Sequence, residues 1–277
     1  MGEGEKDIRH VTIVGVGLLG GSAGLALKAF DPAIRVAGVG RRAESLEQAK
    51  AIGAVDTTHL DAAEAVAGTD LVILATPVGA FERHMRAIAP HLAGRAIVTD
   101  VGSTKASVVR AAHRMLGAAR FCGSHPMAGS ERKGPSFARA DLFHGATCIL
   151  TPTGKTPPAV VEKVAGLWRK MGMRIVLMNP AAHDRVVARV SHLPHALASL
   201  LMLLPDGELA RRFVDALRAE GIAGPPGSLA CITMREWGMH WYFNIPSLVQ
   251  RRSNSRDGFP WSHPANAFAA GYDYDIG

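Results

Sequence analysis

The chain has 277 residues, of which 48% are hydrophobic, and it carries a formal net charge of +7. This length suffices for one large domain or two ordinary ones, each with a substantial core. The apolar runs are shorter than the ~20 residues that a membrane helix needs, and the polar stretch from Met1 to His10 holds no signal-peptide core. We therefore expect no membrane partner.

The cysteine and charge patterns narrow the class further. Cys122, Cys148 and Cys231 are widely spaced and fit neither a disulfide framework nor a metal site, which favours a cytoplasmic location. Lysine and arginine are dispersed, and aromatic residues make up only 6% of the chain, so we expect no nucleic-acid partner. An anionic small molecule accounts for the basic balance equally well.

The first organised unit runs from residue 9 to about residue 39. Residues 10–14 form a β-branched run typical of a buried parallel strand, an Ala/Leu-rich helix follows to about Phe30, and residues 34–39 form the next strand. Gly-Val-Gly-Leu-Leu-Gly stands between the first strand and the helix. A G-x-G-x-x-G segment in this β-α-β setting predicts a dinucleotide-binding turn.

Each position of this turn has a predicted role in binding the cofactor. Gly15 permits the tight turn, Gly17 lets the pyrophosphate approach the backbone, and Gly20 lets helix and strand pack closely. Leu18 and Leu19 open the helix, whose unpaired N–H groups attract phosphate. A glycine turn without a ligand is the less favoured alternative.

The end of the second strand predicts which dinucleotide binds. An acidic residue there would accept hydrogen bonds from the ribose of NAD, but this chain has Gly40, Arg41 and Arg42. Guanidinium groups suit a 2′-phosphate, so NADP is preferred over NAD. The alternative is that both arginines cap the start of a solvated helix.

The α/β alternation continues along the chain. Strands are predicted over residues 71–75, 96–99, 120–122, 147–150 and 174–177. Helices are predicted over residues 43–52 and 158–171, with two more that end near 89 and at 114. Thr76 and Pro77 end one strand at its carboxyl edge, where ligands of such sheets bind. Ser103 and Thr104 are predicted to cap the next helix. The alternative places the Ser103 hydroxyl against substrate.

Residues 123–131 read Gly-Ser-His-Pro-Met-Ala-Gly-Ser-Glu and contain three helix- or strand-interrupting residues. The pattern predicts a shaped loop outside the core. Its His125 suits proton transfer because imidazole titrates near neutral pH. An ordinary surface loop with a solvated histidine is the alternative.

From residue 181 a helical pattern begins, and residues 196–201 are apolar nearly all round. His192 and His195 would share one helical face. No third ligand stands at a zinc-site spacing, so we expect no metal, with one histidine structural and the other facing substrate.

Five segments together resemble prephenate and arogenate dehydrogenases. They are the glycine turn at 15–22, Ala-Thr-Pro-Val at 75–78, Asp-Val-Gly-Ser-x-Lys at 100–105, the segment 123–131, and His-Asp at 183–184 before Ser-His-Leu-Pro-His at 191–195. The resemblance covers about residues 9–204. It implies a Rossmann-type doubly wound parallel sheet over 1–180, followed by an all-α dimerisation domain over 181–277. It also implies oxidative decarboxylation in tyrosine biosynthesis, giving 4-hydroxyphenylpyruvate from prephenate or tyrosine from arogenate.

The same resemblance implies roles for individual residues. His125 would be the base that takes the proton of the substrate's C4 hydroxyl, and Ser103 would orient that hydroxyl. The expected substrate-binding residues are Ser124, Glu131, His195 and Arg235, the last standing in Thr-Met-Arg-Glu-Trp at 233–237. Glu131 would help to close or gate the site.

The tail departs from the family pattern, because residues 233–237 match the family's arginine segment poorly. From about residue 221 the composition also shifts, since all three tyrosines and three of the four tryptophans lie there. A divergent end and a shifted reading frame are the two alternatives. We expect a homodimer held mainly by residues 181–204, with the segment beyond Arg251 loosely packed. Three alternatives stay open: a β-hydroxyacid or imine-type reductase, a nucleotide sensor and a catalytically impaired relative. The first would place a catalytic lysine in the helical region, but no lysine follows Lys170.

Overall fold

The computed structural model describes residues 8–130 and 132–189. By its internal contacts the chain divides into two compact units, Met1–Arg185 and Val186–Gly277. The predicted all-α region therefore lies almost entirely outside the described residues.

Strands and α-helices alternate along the described chain. The strands are β1 (His10–Val14), β2 (Arg35–Val39), β3 (Thr57–His59), β4 (Leu71–Leu74), β5 (Ile97–Asp100), β6 (Gly123–Pro126), β7 (Thr147–Thr151) and β8 (Arg174–Leu177). The helices are α1 (Leu18–Phe30), α2 (Ala43–Ala51), α3 (Ala62–Ala65), α4 (Phe81–Ile88), α5 (Ala106–Met115), α6 (Pro158–Lys170) and α7 (Pro180–Val187).

The first five strands form one parallel sheet in the order β3-β2-β1-β4-β5. The chain builds outward from β1 in one direction through β2 and β3, and in the other through β4 and β5. The crevice between the carboxyl ends of β1 and β4 is thus the switch point at which ligands of such sheets bind. The predicted Rossmann-type sheet is confirmed.

Both faces of this sheet are covered. Leu71 and Ile73 of β4 pack in a cluster with residues of α1, α2 and α6, whereas Val72 and Leu74 pack with residues of α3, α4 and α5. Alternate side chains of a strand point to opposite faces, so helices shield the two sides separately. This is why β4 is apolar at every position.

Three more strands form a second sheet in the order β6-β7-β8. β6 runs antiparallel to β7, and β7 runs parallel to β8. A single parallel bridge between Val98 and Phe121 joins β5 to the residues just before β6. The carboxyl ends of β5 and β6 therefore lie at the same edge.

Most predicted elements match the structure to within one residue at each end, and β3 and α3 are additions. Two predictions were wrong. Residues 120–122 are not a strand, because a 3₁₀ turn at Ala118–Arg120 leads to the single bridge at Phe121. Gly123–Pro126 is not a loop but the fully buried strand β6. Gly123 is needed there for space, since an added Cβ would lie 2.6 Å from the Thr151 Oγ1 atom.

No helix among the described residues combines the length and the apolar character needed to cross a bilayer.

Candidate active site

The glycine turn between β1 and α1 has the tight geometry that a dinucleotide needs. Gly15 has a φ of +107°, which favours glycine, and an added Cβ would lie 2.7 Å from the carbonyl carbon of Ala75. At Gly20 an added Cβ would lie 1.9 Å from the Gly15 carbonyl oxygen. Any side chain at either position would force β1, β4 and α1 apart.

Gly17 differs from its two neighbouring glycines, because an added Cβ would meet nothing within 4 Å. The space in front of Gly17 is open, and α1 begins directly after it at Leu18, with Leu19 in its first turn. Across the crevice, the Thr76 Oγ1 atom is buried and has no hydrogen-bond partner among the described residues. An open approach to a helix N-terminus beside an unsatisfied hydroxyl fits a bound dinucleotide.

Arg41 and Arg42 follow β2 and are both exposed. Arg42 holds the N-cap position of α2, but its side chain makes no capping hydrogen bond. The alternative capping role is therefore not seen for Arg42. On α4, burial lowers the pKa of His84, and the positive charges of Arg83 and Arg41 lower it further. The end of β2 and the adjoining part of α4 thus share a positive potential.

His125 lies in β6, and the residue is 9% exposed. Its Nδ1 atom is 2.9 Å from the Nε2 atom of His183, a fully buried residue of α7. The two rings meet edge to face, with centroids 5.1 Å apart. His125 is therefore a constrained, nearly buried histidine, so a solvated surface histidine is excluded.

A carboxylate continues this chain of histidines. The Nδ1 atom of His183 is 2.8 Å from Asp184 Oδ1. Asp184 also accepts hydrogen bonds from the backbone N–H groups of Lys105 (2.7 Å) and Ala106 (2.9 Å). One carboxylate thus holds His183 and the start of α5 together.

The predicted capping of α5 by Ser103 and Thr104 was wrong. Lys105 occupies the N-cap position without a side-chain capping bond, and the first N–H groups of the helix bond to Asp184 instead. Ser103 is left exposed on the turn after β5, at the sheet edge where β6 carries His125. This placement agrees with the alternative in which Ser103 faces substrate.

Beneath the turn lies a fully buried ion pair between Lys105 Nζ and Asp100 Oδ2. Lys105 Nζ also donates to the carbonyl oxygen of Ser124 at 2.8 Å, and the Ser124 N–H donates to Asp100 Oδ1 at 3.2 Å. Burial raises the pKa of Asp100, an effect opposed by the Lys105 ammonium and by the N–H groups of Gly102 and Ser124. The pair ties the end of β5 to β6, one residue before His125.

Ser124, predicted to contact substrate, is a core residue instead. It is fully buried, and its hydroxyl bonds to the Asp100 carbonyl, to Thr99 Oγ1 (2.9 Å) and to the indole N–H of Trp168 (3.0 Å). Neighbouring residues of a strand point to opposite faces, so Ser124 points away from the face that carries His125. The assignment of Ser124 to the substrate site was wrong.

Cys122 and Cys148 are buried free thiols. Burial raises the pKa of Cys122 to about 12 and that of Cys148 further still. Neither supplies a thiolate nucleophile near neutral pH.

Three of the predicted substrate contacts, Glu131, His195 and Arg235, lie outside the described residues, as does His192. The structure also brings four residues into the site for which the sequence predicted no individual role, although they stand in the motifs at 100–105 and 183–184. They are Asp100, Lys105, His183 and Asp184. The available signal was the pair of opposite charges on either side of the strand-to-helix turn at 100–105. For His183 and Asp184 no local pattern identifies the partners.

Comparisons with known proteins point to one family. The model of the prephenate dehydrogenase nucleotide-binding domain matches residues 23–177, more than half of the chain. A cyclohexadienyl dehydrogenase of Zymomonas mobilis is 37% identical over 242 residues, covering 87% of this chain and 83% of that protein. A prephenate dehydrogenase of Bacillus subtilis is 36% identical over 69% of this chain, which spans about half (52%) of that relative's length.

Solved structures give the same result. The prephenate dehydrogenase of A. aeolicus, in complex with hydroxyphenyl propionate and NAD+, superposes with a TM-score of 0.67 at 32% identity, over 80% of this chain and 72% of that one. Synechocystis arogenate dehydrogenase gives a TM-score of 0.64 at 30% identity, over 78% of this chain and 75% of that one. The chain therefore belongs to the prephenate dehydrogenase family and is a nicotinamide-dependent oxidoreductase.

Proposed function

We propose that this protein catalyses the oxidative decarboxylation of prephenate to 4-hydroxyphenylpyruvate, a step of tyrosine biosynthesis. The observation that carries the proposal is the position of His125: a nearly buried histidine, bonded to a second histidine, on a strand whose carboxyl end lies beside that of β5 in the dinucleotide-binding sheet. A base beside a dinucleotide site is what oxidation of a ring alcohol requires. Family membership supports the substrate.

His125 acts as the general base. It takes the proton of the C4 hydroxyl as C4 is oxidised, so the hydroxyl oxygen becomes a carbonyl oxygen. That carbonyl draws electrons from the bond to the C1 carboxylate, carbon dioxide leaves, and the ring becomes aromatic. Bound NAD(P) supplies the hydride acceptor for this reaction. Ser103, exposed on the turn after β5, orients the hydroxyl toward His125, while Glu131, His195 and Arg235 contact the rest of the substrate.

The cofactor binds in the crevice between β1 and β4. Gly15 and Gly20 shape the turn, Gly17 leaves the approach open, and the N-terminus of α1 faces the pyrophosphate. Thr76 and Pro77 line the opposite side, where the Thr76 hydroxyl has a hydrogen bond to offer.

The preferred dinucleotide is NADP. Support comes from the exposed Arg41 and Arg42 after β2 and from the positive potential that Arg41 and Arg83 impose on His84. Two guanidinium groups with no carboxylate at the strand end favour a 2′-phosphate over a free ribose hydroxyl. NAD, the dinucleotide of the A. aeolicus complex, is the alternative.

Arogenate is the second candidate substrate. The relatives include the Synechocystis arogenate dehydrogenase and a probable arogenate/prephenate dehydrogenase of Methanocaldococcus jannaschii. Arogenate carries the same ring and differs only in an amino group in place of the side-chain keto group, so the chemistry at His125 is unchanged.

Residues 181–277 are the domain that binds substrate and forms a homodimer. The dimer is held mainly by residues 181–204. The protein acts in the cytoplasm. The nearly all-apolar run at 196–201 needs cover that a second subunit supplies. Light scattering on the full chain tests this, and a monomer at micromolar concentration would contradict it.

One assay tests the function. Reduction of NADP and of NAD is followed with prephenate and with arogenate, in four parallel reactions. We expect the largest kcat/KM with NADP and prephenate. Absence of turnover in all four, with cofactor binding intact, would favour the nucleotide-sensor alternative.

A further inference from the structure

We infer that His183 and Asp184 are positioning residues that hold His125 as its Nδ1–H tautomer, which leaves the Nε2 atom of His125 unprotonated and able to accept the substrate proton. The purpose of this arrangement rests on the proposed function. The arrangement itself is a property of the protein without substrate, and it can be measured separately.

The direction of each hydrogen bond begins at Asp184. Its carboxylate accepts two backbone N–H groups, from Lys105 and Ala106, in addition to its contact with His183. Burial alone would raise the pKa of Asp184, but these N–H groups and the His183 hydrogen bond hold it below its usual value. An ionised carboxylate is an acceptor only, so the Nδ1 atom of His183 carries the proton of the bond to Asp184.

The next step is the charge on His183. Burial lowers the pKa of His183, and the Lys105 ammonium lowers it further, while the Asp184 and Asp100 carboxylates oppose the shift. A neutral imidazole that is protonated on Nδ1 has an unprotonated Nε2 atom. That atom lies 2.9 Å from His125 Nδ1, so His125 must be the donor of this bond. A neutral His125 then has its lone pair on Nε2.

This result differs from the ordinary state of histidine, because the Nε2–H tautomer predominates for histidine in water. A base in that state would present a donor to the substrate hydroxyl instead of an acceptor. The hydrogen bond made by one ring nitrogen decides the state of the other. The contact with His183 therefore removes an inactive tautomer.

Both partners have anchors besides their contact with each other. β6 is fixed on one side of His125 by Lys105, which bonds to Asp100 and to the Ser124 carbonyl. The start of α7 is fixed by the Asn179 side-chain oxygen, which accepts the Ala181 N–H at 2.9 Å. The edge-to-face ring contact therefore joins two anchored elements.

The proton balance is simple. The O–H bond of the substrate breaks, a new N–H bond forms at His125 Nε2, and His125 Nδ1 keeps its own proton. The resulting imidazolium continues to donate to His183. Asp184 stays ionised throughout, and its negative charge stabilises the cation through His183.

Substitutions at His183 separate this role from general stability better than those at Asp184, which also binds the start of α5. His183→Leu keeps approximate volume but has no acceptor. His183→Gln places an amide oxygen near the position of Nε2, so it can still accept the His125 N–H. His113→Gln is the matched control, because His113 is a half-buried histidine in the last turn of α5.

The test is nitrogen-15 NMR on the full chain labelled at its 12 histidines, without substrate, with the His125 signals assigned by their loss in His125→Asn. We expect neutral His125 to be protonated on Nδ1 in the wild type, in His183→Gln and in His113→Gln, and mainly on Nε2 in His183→Leu. Nε2 protonation in the wild type would overturn the proposal, and this measurement needs no variant of His183 to fold.

Kinetics give the second readout. We expect kcat of His183→Leu to fall by about 10- to 100-fold, as for other partners that orient a reacting group, with KM changed less than about twofold. His183→Gln should recover most of the loss, and His113→Gln should lose nothing. A loss confined to KM would make His183 part of the substrate pocket and overturn the proposal. If the tautomers are as expected but neither substrate is turned over, the proposed function fails and the tautomer assignment stands.

Discussion

The two sheets divide the work of the molecule differently. The five-stranded parallel sheet shapes the turn of its cofactor crevice through the backbone, with Gly15 and Gly20 at positions where a side chain cannot fit. The three-stranded sheet carries His125, which is held by side chains: a buried Lys–Asp pair below it and a His–Asp pair beside it.

The two arrangements also differ in the groups that restrict them. The glycine turn is restricted by backbone atoms, those of its own β-α-β unit and those of Ala75 after β4, whereas the partners that hold His125 use side chains: His125 and His183 are 58 residues apart, and Lys105 and Asp184 are 79 apart. A tight turn needs glycine where backbones approach closely, but the orientation of a buried side chain requires side-chain partners from several elements. Substitutions in the two regions should therefore fail in different ways.

The largest effect is expected at His125. The variant His125→Asn should fold and bind the dinucleotide, because the glycine turn is untouched, yet lose about 10²- to 10⁴-fold in kcat, as is typical of removing a general base. Steady-state kinetics and a cofactor titration measure the two quantities. Ser103→Ala, which leaves the base in place, should lose less. Near-normal turnover of His125→Asn, in a sample whose mass confirms the substitution, would exclude His125 as the base.

The second effect concerns stability. Lys105→Met leaves the fully buried Asp100 carboxylate without its ammonium partner, which typically costs about 3–5 kcal/mol. Denaturant unfolding measures the loss. Arg110→Met, an exposed position on the same helix, should change the free energy of unfolding by less than about 0.5 kcal/mol. If the two variants are equally stable, the ion pair does not hold β5 and β6 together.

The smallest effect is expected at the cofactor crevice. Replacing Arg41 and Arg42 with Ala should raise KM for NADP by about tenfold, roughly the weight of one charge-assisted hydrogen bond at an exposed site, and leave KM for NAD nearly unchanged. Arg35→Ala, an exposed arginine at the other end of β2, should alter neither. A wild type that prefers NAD would show that the two arginines do not select the cofactor.

The sequence was most informative where structure depends on local pattern. The β-α-β unit, the positions of its glycines and most later elements follow from hydrophobic periodicity and the turn residues between them. The sequence did not predict that residues 123–126 form a strand, because Gly123 and Pro126 are typical of turns. In the structure Gly123 instead provides room beside Thr151, a requirement imposed by a strand 28 residues away.

The site was predicted less completely for the same reason. His125 and Ser103 could be selected from their motifs, but Ser124 stands beside His125 in the same motif and belongs to the core. Which of two neighbouring residues reaches the site depends on which face of β6 is covered by Trp168. The capping of α5 by Asp184 was likewise beyond any local pattern, since Ser103 and Thr104 stand where helix caps usually do.

The bond from Asp184 to the start of α5 has a consequence for the order in which the enzyme becomes active. Synthesis proceeds from the N-terminus, so β1 to α2 can assemble soon after they leave the ribosome. The start of α5 and the His125 ring acquire their partners only after α7 has emerged. The nucleotide-binding match ends at residue 177, before either partner has been made. A nascent chain of that length would already hold its dinucleotide crevice, whereas His125 would still lack the histidine that holds its ring.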